Sequence, residues 1–152
     1  MAAVVALTAL TAGCGSSGGG SGSGGSGSGQ VQARSLHGVG TVLVTSKGYA
    51  LYMFVRDGRK RVTCTGYCAA TWPPLKIGAG RRPAAGPGVR QSLLGTDPDP
   101  AGGRVITYAG WPLYTYASDV QAGQVTGQRV NLNGGLWYLM RPSGVPVKTA
   151  RP

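Results

Sequence analysis

The sequence predicts an all-β domain: a small antiparallel sheet, sandwich or barrel-like unit built from duplicated β-hairpins. The first observation is an internal repeat, because the pattern Tyr, any residue, aromatic, any two residues, Asp occurs at 52–57 and again at 114–119. Such self-similarity indicates one supersecondary unit built twice. The second observation is a series of strand-like segments joined by turns that contain glycine, which is the usual signal of a hairpin.

The hairpins follow one another along the chain. The first comprises residues 41–55, with a turn at Gly48, and the second comprises residues 104–116, with a turn at Gly110. A shortened third copy is expected over residues 136–147. The spacing of glycine, leucine, tyrosine and aspartate is the same in the first two hairpins, so we expect them to have the same structure.

Each copy of the motif places two rings and one carboxylate at fixed positions. Residues two apart in a strand point to the same face, so the two rings should share a face. The Asp comes where the strand should turn, and we expect it to cap backbone N–H groups there. Two facing carboxylates of an active site are the alternative. The motif residues are Tyr52, Phe54 and Asp57 in one copy, and Tyr114, Tyr116 and Asp119 in the other.

The connection between the hairpins contains a short helix and a pair of cysteines. Residues 66–72 can form a helix, which would end at the two prolines that follow. Residues 78–103 are rich in Gly, Pro and Arg and read as a long surface connection with little regular structure. Cys64 and Cys68 should form a disulfide if the chain is exported, with a redox-active dithiol or a metal site as alternatives.

The N-terminal residues resemble an export signal that ends at a lipid anchor. Residues 2–12 form an apolar run too short to span a bilayer, as in the core of a signal peptide. No Lys or Arg precedes this run, so a translation start further upstream is expected. The small residues before Cys14 resemble a bacterial lipobox, in which the Cys is lipidated. We therefore expect a signal peptide at 1–13, a lipidated Cys with a Gly/Ser-rich tether at 14–35, and the β domain at 36–150.

The charge of the chain favours anionic partners. The formal net charge is +11, with 15 Lys and Arg against 4 Asp and no Glu. Anionic lipid headgroups and phosphate-containing wall polymers are the expected partners, and nucleic acid is not expected for an exported protein. The basic group that would meet them consists of Arg56, Arg59, Lys60, Arg61, Arg81 and Arg82.

Several separate motifs, in order over about residues 38–149, resemble one bacterial family. They are the paired Tyr/aromatic/Asp motifs, the segment from Cys64 through Trp72 to its two prolines, the segment 111–114, and the segment 134–138. Together they are similar to the secreted-repeat lipoproteins of bacteria. The stretch at 131–133 is less rich in glycine than is usual there. The resemblance implies an extracytoplasmic lipoprotein, but the biochemical function of the family is itself unknown.

No set of residues in the sequence points to catalysis, a metal or a cofactor. His37 is the single histidine and has no carboxylate nearby in sequence, and Asp97 and Asp99 should lie in a solvated turn. We therefore expect a lipid-anchored envelope protein with a non-enzymatic binding or structural role. A glycan or wall-polymer module is one alternative, and it predicts exposed Trp beside the basic group. A redox accessory is another, and it predicts exposed, reactive cysteines.

Overall fold

The computed structural model describes residues 29–149 of the 152-residue chain. The expected signal peptide, Cys14 and most of the expected tether lie outside the described residues. Within the described part, no helix is long and apolar enough to cross a membrane.

The described residues form mostly short strands, as the sequence predicts. One α-helix, α1 (Tyr67–Thr71), and a single 3-10 turn (Gln91–Leu93) interrupt them. The strands are β1 (Gln30–Leu36), β2 (Gly40–Thr45), β3 (Tyr52–Phe54), β4 (Lys76–Ile77), β5 (Ala84–Ala85), β6 (Leu94–Pro98), β7 (Arg104–Tyr108), β8 (Trp111–Pro112), β9 (Asn131–Leu132) and β10 (Gly135–Leu139).

Across residues 29–149 the strands form three small sheets, and these do not close into a barrel. The first has the order β2-β1-β5, in which β1 is antiparallel to β2 and parallel to β5. The second is antiparallel with the order β3-β10-β9. In the third, β7 pairs with β6, β4 and β8, all antiparallel. The expected all-β class with small antiparallel sheets is therefore confirmed.

The first strand begins earlier than the sequence predicts. Strand β1 covers residues 30–36, of which 30–35 were expected to belong to the tether. Its six pairs with β2 run from Val31 opposite Thr45 to Leu36 opposite Gly40. The side chain of Val31 is fully buried. Three of the seven residues of β1 are apolar, Val31, Ala33 and Leu36, and their alternation with polar residues breaks after Ala33, so the pattern is too weak to predict a strand.

The expectation of an irregular connection over 78–103 is wrong in its second half. Strand β6 pairs along its whole length with β7, from Leu94 opposite Tyr108 to Pro98 opposite Arg104. It does for β7 what β1 does for β2, so each repeat contains this additional antiparallel strand. The Gly and Pro residues in 78–103 obscured the strand, because they are signals of turns and breaks.

The short helix is present where the sequence places it. Helix α1 ends at Thr71, immediately before Trp72 and the two prolines. Proline cannot continue a helix because its ring clashes with the preceding turn. The chain then leaves as an extended segment, in which Pro74 bridges to Tyr114 and Leu75 donates its N–H to Leu113.

The expected third hairpin copy is instead the end of the second repeat. Strand β10 and the turn that follows it are present, with Met140 bridging to Pro146. However, the N–H of Met140 bonds to Leu51, as the N–H of Leu75 bonds to Leu113. Residues 137–140 therefore match residues 72–75 of the first repeat, and the domain has two copies of one unit.

The two repeats exchange their extended segments. Strand β3 of the first repeat pairs with β10 of the second, with Met53 opposite Tyr138. Reciprocally, Pro74 of the first repeat bridges to Tyr114 of the second, and the N–H of Leu75 bonds to the residue before Tyr114. Each repeat thus completes a sheet in the other, and the cores of the two units are built jointly.

Candidate functional site

The two tyrosines that begin the repeat motifs are direct partners at the centre of the domain. Tyr52 donates its backbone N–H to the carbonyl oxygen of Tyr114 at 2.8 Å, and Tyr114 returns the bond to Tyr52 at 2.9 Å. Both side chains are fully buried. This reciprocal backbone pair relates the two motifs by an approximate twofold symmetry.

The side chains of the motifs bond across the two repeats. The Tyr52 hydroxyl donates to Oδ2 of Asp119 at 2.6 Å, and the Tyr114 hydroxyl donates to Oδ2 of Asp57 at 2.5 Å. Each Tyr of one copy therefore serves the Asp of the other copy. A hydrogen bond to a charged acceptor is short and stronger than a neutral one.

The second oxygen of each Asp holds the loop of its own repeat. Oδ1 of Asp57 accepts from the backbone N–H of Thr63 at 2.7 Å and from its hydroxyl at 2.6 Å. Oδ1 of Asp119 accepts the same two bonds from Thr126, at 2.9 Å and 2.5 Å. Each carboxylate thus ties the loop of its own repeat to the tyrosine of the other repeat.

Burial is the main influence on the pKa values of Tyr52, Tyr114 and Asp57. It raises the pKa of Tyr52 and of Tyr114 far above the usual range of a phenol, and the adjacent carboxylates raise it further. Burial also raises the pKa of Asp57, against the hydrogen bonds from Thr63 and Tyr114, which lower it. Both phenols therefore stay protonated and remain hydrogen-bond donors wherever the protein is folded.

Four stacked rings cross the same centre. Phe54 stacks on Trp137 at 4.1 Å, Trp137 stacks on Trp72 at 4.0 Å, and Trp72 stacks on Tyr116 at 4.0 Å. The outer ring at each end comes from one repeat and the tryptophan beneath it comes from the other. The expectation that the motif rings face the core together is met by a stack in which the two repeats alternate.

The motif tyrosines close the flanks of this stack edge-on. Tyr52 meets Trp72 with centroids 5.4 Å apart and planes at 75°, and Tyr114 meets Trp137 at 5.2 Å and 89°. Stacked and edge-to-face pairs are each worth about 0.5–1.5 kcal/mol beyond the apolar area that they bury.

Gly127 lets the loop after Asp119 approach this cluster. A Cβ atom added there would lie 2.7 Å from Cη2 of Trp72 and 3.0 Å from Cε1 of Tyr52. The backbone N–H of Gly127 also donates to the Tyr52 hydroxyl at 3.2 Å. The Tyr52 oxygen therefore accepts one bond and donates another, which leaves no room for a ligand at this atom.

The predicted disulfide is confirmed. Cys64 and Cys68 are bonded, with their Cα atoms 5.2 Å apart. Cys64 is 1% exposed and packs in the cluster that contains the stacked rings, and Cys68 packs against that cluster. The bridge fixes the start of α1 against the core. The redox alternative expects exposed cysteines, and the burial of Cys64 does not favour it.

The remaining acidic residues depart from the expected solvated turn. The turn itself forms, because Oδ1 of Asp99 accepts from the N–H of Ala101 at 2.9 Å. Both carboxylates are nevertheless buried, with Asp97 6% and Asp99 7% exposed, and Asp99 pairs with Lys76 at 2.9 Å. Strand β6 causes this, because it draws the turn onto the third sheet. His37 is exposed, and the part of the chain that the structure describes holds no group of three metal-ligating side chains.

The charged side chains that are exposed on the described surface are basic. The four acidic residues of the chain are all buried. Every described Lys and Arg except the half-buried Arg141 is exposed. The six basic residues singled out in the sequence are all among the exposed ones. The basic group at 56–61 lies beside the Gly110 turn, where Lys60 donates its N–H to Gly110 and Arg59 packs over it.

Sequence reasoning missed the residues that complete the carboxylate sites. Thr63 follows Asp57 by six positions, and Thr126 follows Asp119 by seven. Aligning the repeats beyond the motif would have matched these two threonines and also Trp72 with Trp137. The exchange of tyrosines between copies carries no local signal, because it depends on which strands pair.

We expect the cross-repeat bonds to appear as coupling energies in unfolding experiments. Removing a partner from a buried hydrogen bond costs about 1–3 kcal/mol, because the other group is left unsatisfied. Tyr52→Phe and Asp119→Ala should each cost this much, and the double variant should cost less than their sum by about 0.5 kcal/mol or more. Chemical denaturation of the four proteins in the cycle measures this.

The matched control is the pair within one motif, Tyr52→Phe with Asp57→Ala, which share no hydrogen bond. Their losses should add to within about 0.5 kcal/mol. Coupling within the motif together with additivity across the repeats would contradict the exchanged arrangement.

The raised tyrosine pKa values predict a loss of stability in alkali. A group whose pKa is higher in the folded state contributes stability that is complete below its unfolded pKa, about 10 for Tyr, and declines as pH rises above it. Stability should therefore fall steeply above about pH 10. In spectrophotometric titration, Tyr52 and Tyr114 should ionise only on unfolding.

The double variant Tyr52→Phe, Tyr114→Phe is the comparison for this titration. It should lose the part of the phenolate signal that coincides with unfolding. An unchanged late signal would show that other tyrosines are the protected ones.

Comparison with known proteins agrees with this duplicated architecture. A family model described as a secreted repeat of unknown function matches the chain twice, at residues 37–76 and 95–140. The two matches contain the first and second Tyr/aromatic/Asp motifs, respectively, and together they cover more than half of the chain. No curated protein and no solved structure matches it significantly. The chain therefore belongs to this family of secreted repeats, whose function is unknown.

Proposed function

We propose that this protein is a lipid-anchored module of the bacterial cell envelope that binds an anionic polymer or lipid surface without catalysing a reaction. The observation that carries the proposal is the complete burial of its acidic side chains beneath a surface of exposed Lys and Arg. An anionic partner would therefore meet no exposed Asp side chain that repels it.

The cationic surface is a consequence of how the core is built. Asp57 and Asp119 are consumed by the cross-repeat bonds, and Asp99 is paired with Lys76. Exposed charges attract an extended polyanion over about one Debye length, roughly 8–10 Å at physiological salt. A domain with this many exposed cations suits a long polymer or a charged surface better than one small ligand.

The buried Asp pair supports a structural role over a catalytic one. A catalytic carboxylate must reach a reacting atom within about 3 Å. Both oxygens of Asp57 and Asp119 already accept bonds from Tyr and Thr partners inside the core. The geometry that a glycosidase needs, two carboxylates flanking an open cleft, is therefore not what these two residues form.

The anchor rests on the sequence features around Cys14. The family is described as secreted, which agrees with export of the chain. An apolar run followed by small residues and Cys is the arrangement that precedes lipidation, and stable anchoring requires more than one acyl chain. The Gly/Ser segment after Cys14 would hold the cationic domain near the membrane and within reach of the wall.

We expect binding to anionic surfaces to weaken steeply with salt. Cosedimentation with vesicles that contain anionic lipid, or with purified cell wall, should fall as ionic strength rises, because the Debye length shortens from about 10 Å at 0.1 M to about 3 Å at 1 M. Neutral vesicles are the control and should retain little protein at any salt. Equal retention on neutral and anionic surfaces would contradict the electrostatic proposal.

We expect Cys14→Ser to release the exported protein from membranes. Serine cannot carry the thioether-linked lipid, so the variant should appear in the soluble extracytoplasmic fraction. Cys64→Ser with Cys68→Ser is the matched control, because it replaces the two disulfide-bonded cysteines without touching the expected anchor. If the Cys14 variant fractionates with membranes as the parent does in high salt, the anchor proposal is wrong.

A further inference from the structure

A groove opens on the surface where β3, β8 and β10 meet. Its volume is about 270 Å³. The residues that line it are Met53, Val55, Trp111, Tyr138, Pro146 and Lys148. None of them belongs to the Tyr/Asp network at the centre of the domain, so the groove is separate from the site described above.

The floor of the groove is rigid, apolar and aromatic. Met53 and Tyr138 are paired opposite each other in the antiparallel β3–β10 ladder, and Met53 is 2% exposed. Trp111 and Tyr138 are half-buried, in contrast to the fully buried Trp72 and Trp137. An aromatic side chain fixed in this way presents apolar surface together with a polar group, which suits a ligand that has both.

One cationic side chain lines the groove, and two arginines lie beside residues that are next to its lining in the sequence. Lys148 lines it directly and is exposed. Arg56, which follows Val55, is exposed and bonds through Nη1 to the carbonyl oxygen of Gly134 at 3.2 Å. Arg59 packs over Gly110, the residue before Trp111. All four Asp side chains are buried, so none of them is exposed opposite these cations.

We propose that this groove binds one sugar ring of an anionic glycan, with the ring on Trp111 and Tyr138 and its negative substituent at Lys148. Faces of sugar rings carry C–H groups that pack on aromatic side chains, and the acidic substituent complements the rim. The volume lies just below the range of about 300–1,000 Å³ that is typical of pockets for drug-sized ligands. The groove therefore has room for one sugar ring of the polymer.

This inference rests on the proposed function and makes it more specific. General attraction to polyanions needs only the exposed cations, whereas the groove adds a preference for polyanions made of sugar rings. The two ideas separate experimentally, because a polyanion without rings tests the first and a substitution at Trp111 tests the second.

The experiment compares the binding of the purified full chain to three soluble polymers of similar length. Oligogalacturonate has sugar rings that each carry a carboxylate, polyglutamate has carboxylates without sugar rings, and dextran has sugar rings without charge. Binding is measured by calorimetry or fluorescence at low and at physiological salt. We expect the order oligogalacturonate, then polyglutamate, then dextran, with the first retaining the most affinity as salt rises.

Two variants and two matched controls locate the site. Trp111→Leu keeps an apolar side chain but removes the ring, and Tyr67→Leu is its control on a residue that is 94% exposed and does not line the groove. Lys148→Glu reverses the charge at the rim, and Lys47→Glu makes the same change in net charge elsewhere on the exposed surface.

Each groove variant should weaken oligogalacturonate binding by about tenfold relative to its control, the loss expected for one well-formed contact. Polyglutamate binding should not distinguish Trp111→Leu from Tyr67→Leu. Thermal melts check folding, and Lys148→Glu decides the question if Trp111→Leu is unstable, since Lys148 is exposed.

Equal effects of groove and control variants on oligogalacturonate would overturn the groove assignment while the proposed function stands. The same dependence of polyglutamate on Trp111 would overturn the choice of a sugar ligand. If the parent protein binds neither polyanion at low salt, the proposed function fails together with this inference.

Discussion

The reciprocal pairing of Tyr52 with Tyr114 is the constraint on which the rest of the structure depends. Two backbone hydrogen bonds join these residues, and each side chain reaches the Asp of the other repeat. Once this pair is made, Phe54 must lie on Trp137 and Tyr116 on Trp72. The domain is therefore one core shared by two repeats and not two units placed side by side.

Sharing the core explains how so small a chain reaches a stable fold. Each repeat is too short to bury its own apolar residues, and below about 60 residues a single core is marginal. Because of the exchange, β3 pairs with β10 of the other repeat. Pro74 and Leu75 likewise pair with the segment that contains Tyr114. The disulfide between Cys64 and Cys68 adds a covalent tie next to the ring stack, at the start of α1.

The same exchange determines the surface of the molecule. Asp57 and Asp119 are used in the core, so they do not balance the basic residues outside it. The surface is therefore strongly positive, as is the net charge of +11 of the whole chain. High like charge destabilises a compact state by self-repulsion, and the cross-linked core offsets that cost. The two acidic residues that join the repeats therefore also affect the charge of the surface.

Local features of this fold were predictable and long-range ones were not. The turns at Gly48 and Gly110 have positive φ angles, and glycine there marked both hairpins. The two prolines after Trp72 marked the end of the helix, and export predicted the disulfide. Strands β1 and β6 escaped because their polar and Gly/Pro-rich sequences resemble loops. The bond from Tyr114 to Asp57 escaped because it depends on pairing between residues 57 positions apart.

The central claim is that neither repeat folds without the other, and cutting the chain tests it most directly. The connection at Arg81 and Arg82 is exposed, so residues 29–81 and 82–149 can be produced as separate fragments. Circular dichroism melts of each fragment alone and of an equimolar mixture are the measurement. The shared core predicts no cooperative melt for either fragment and a cooperative melt for the mixture, whereas a cooperative melt of one fragment alone would contradict it.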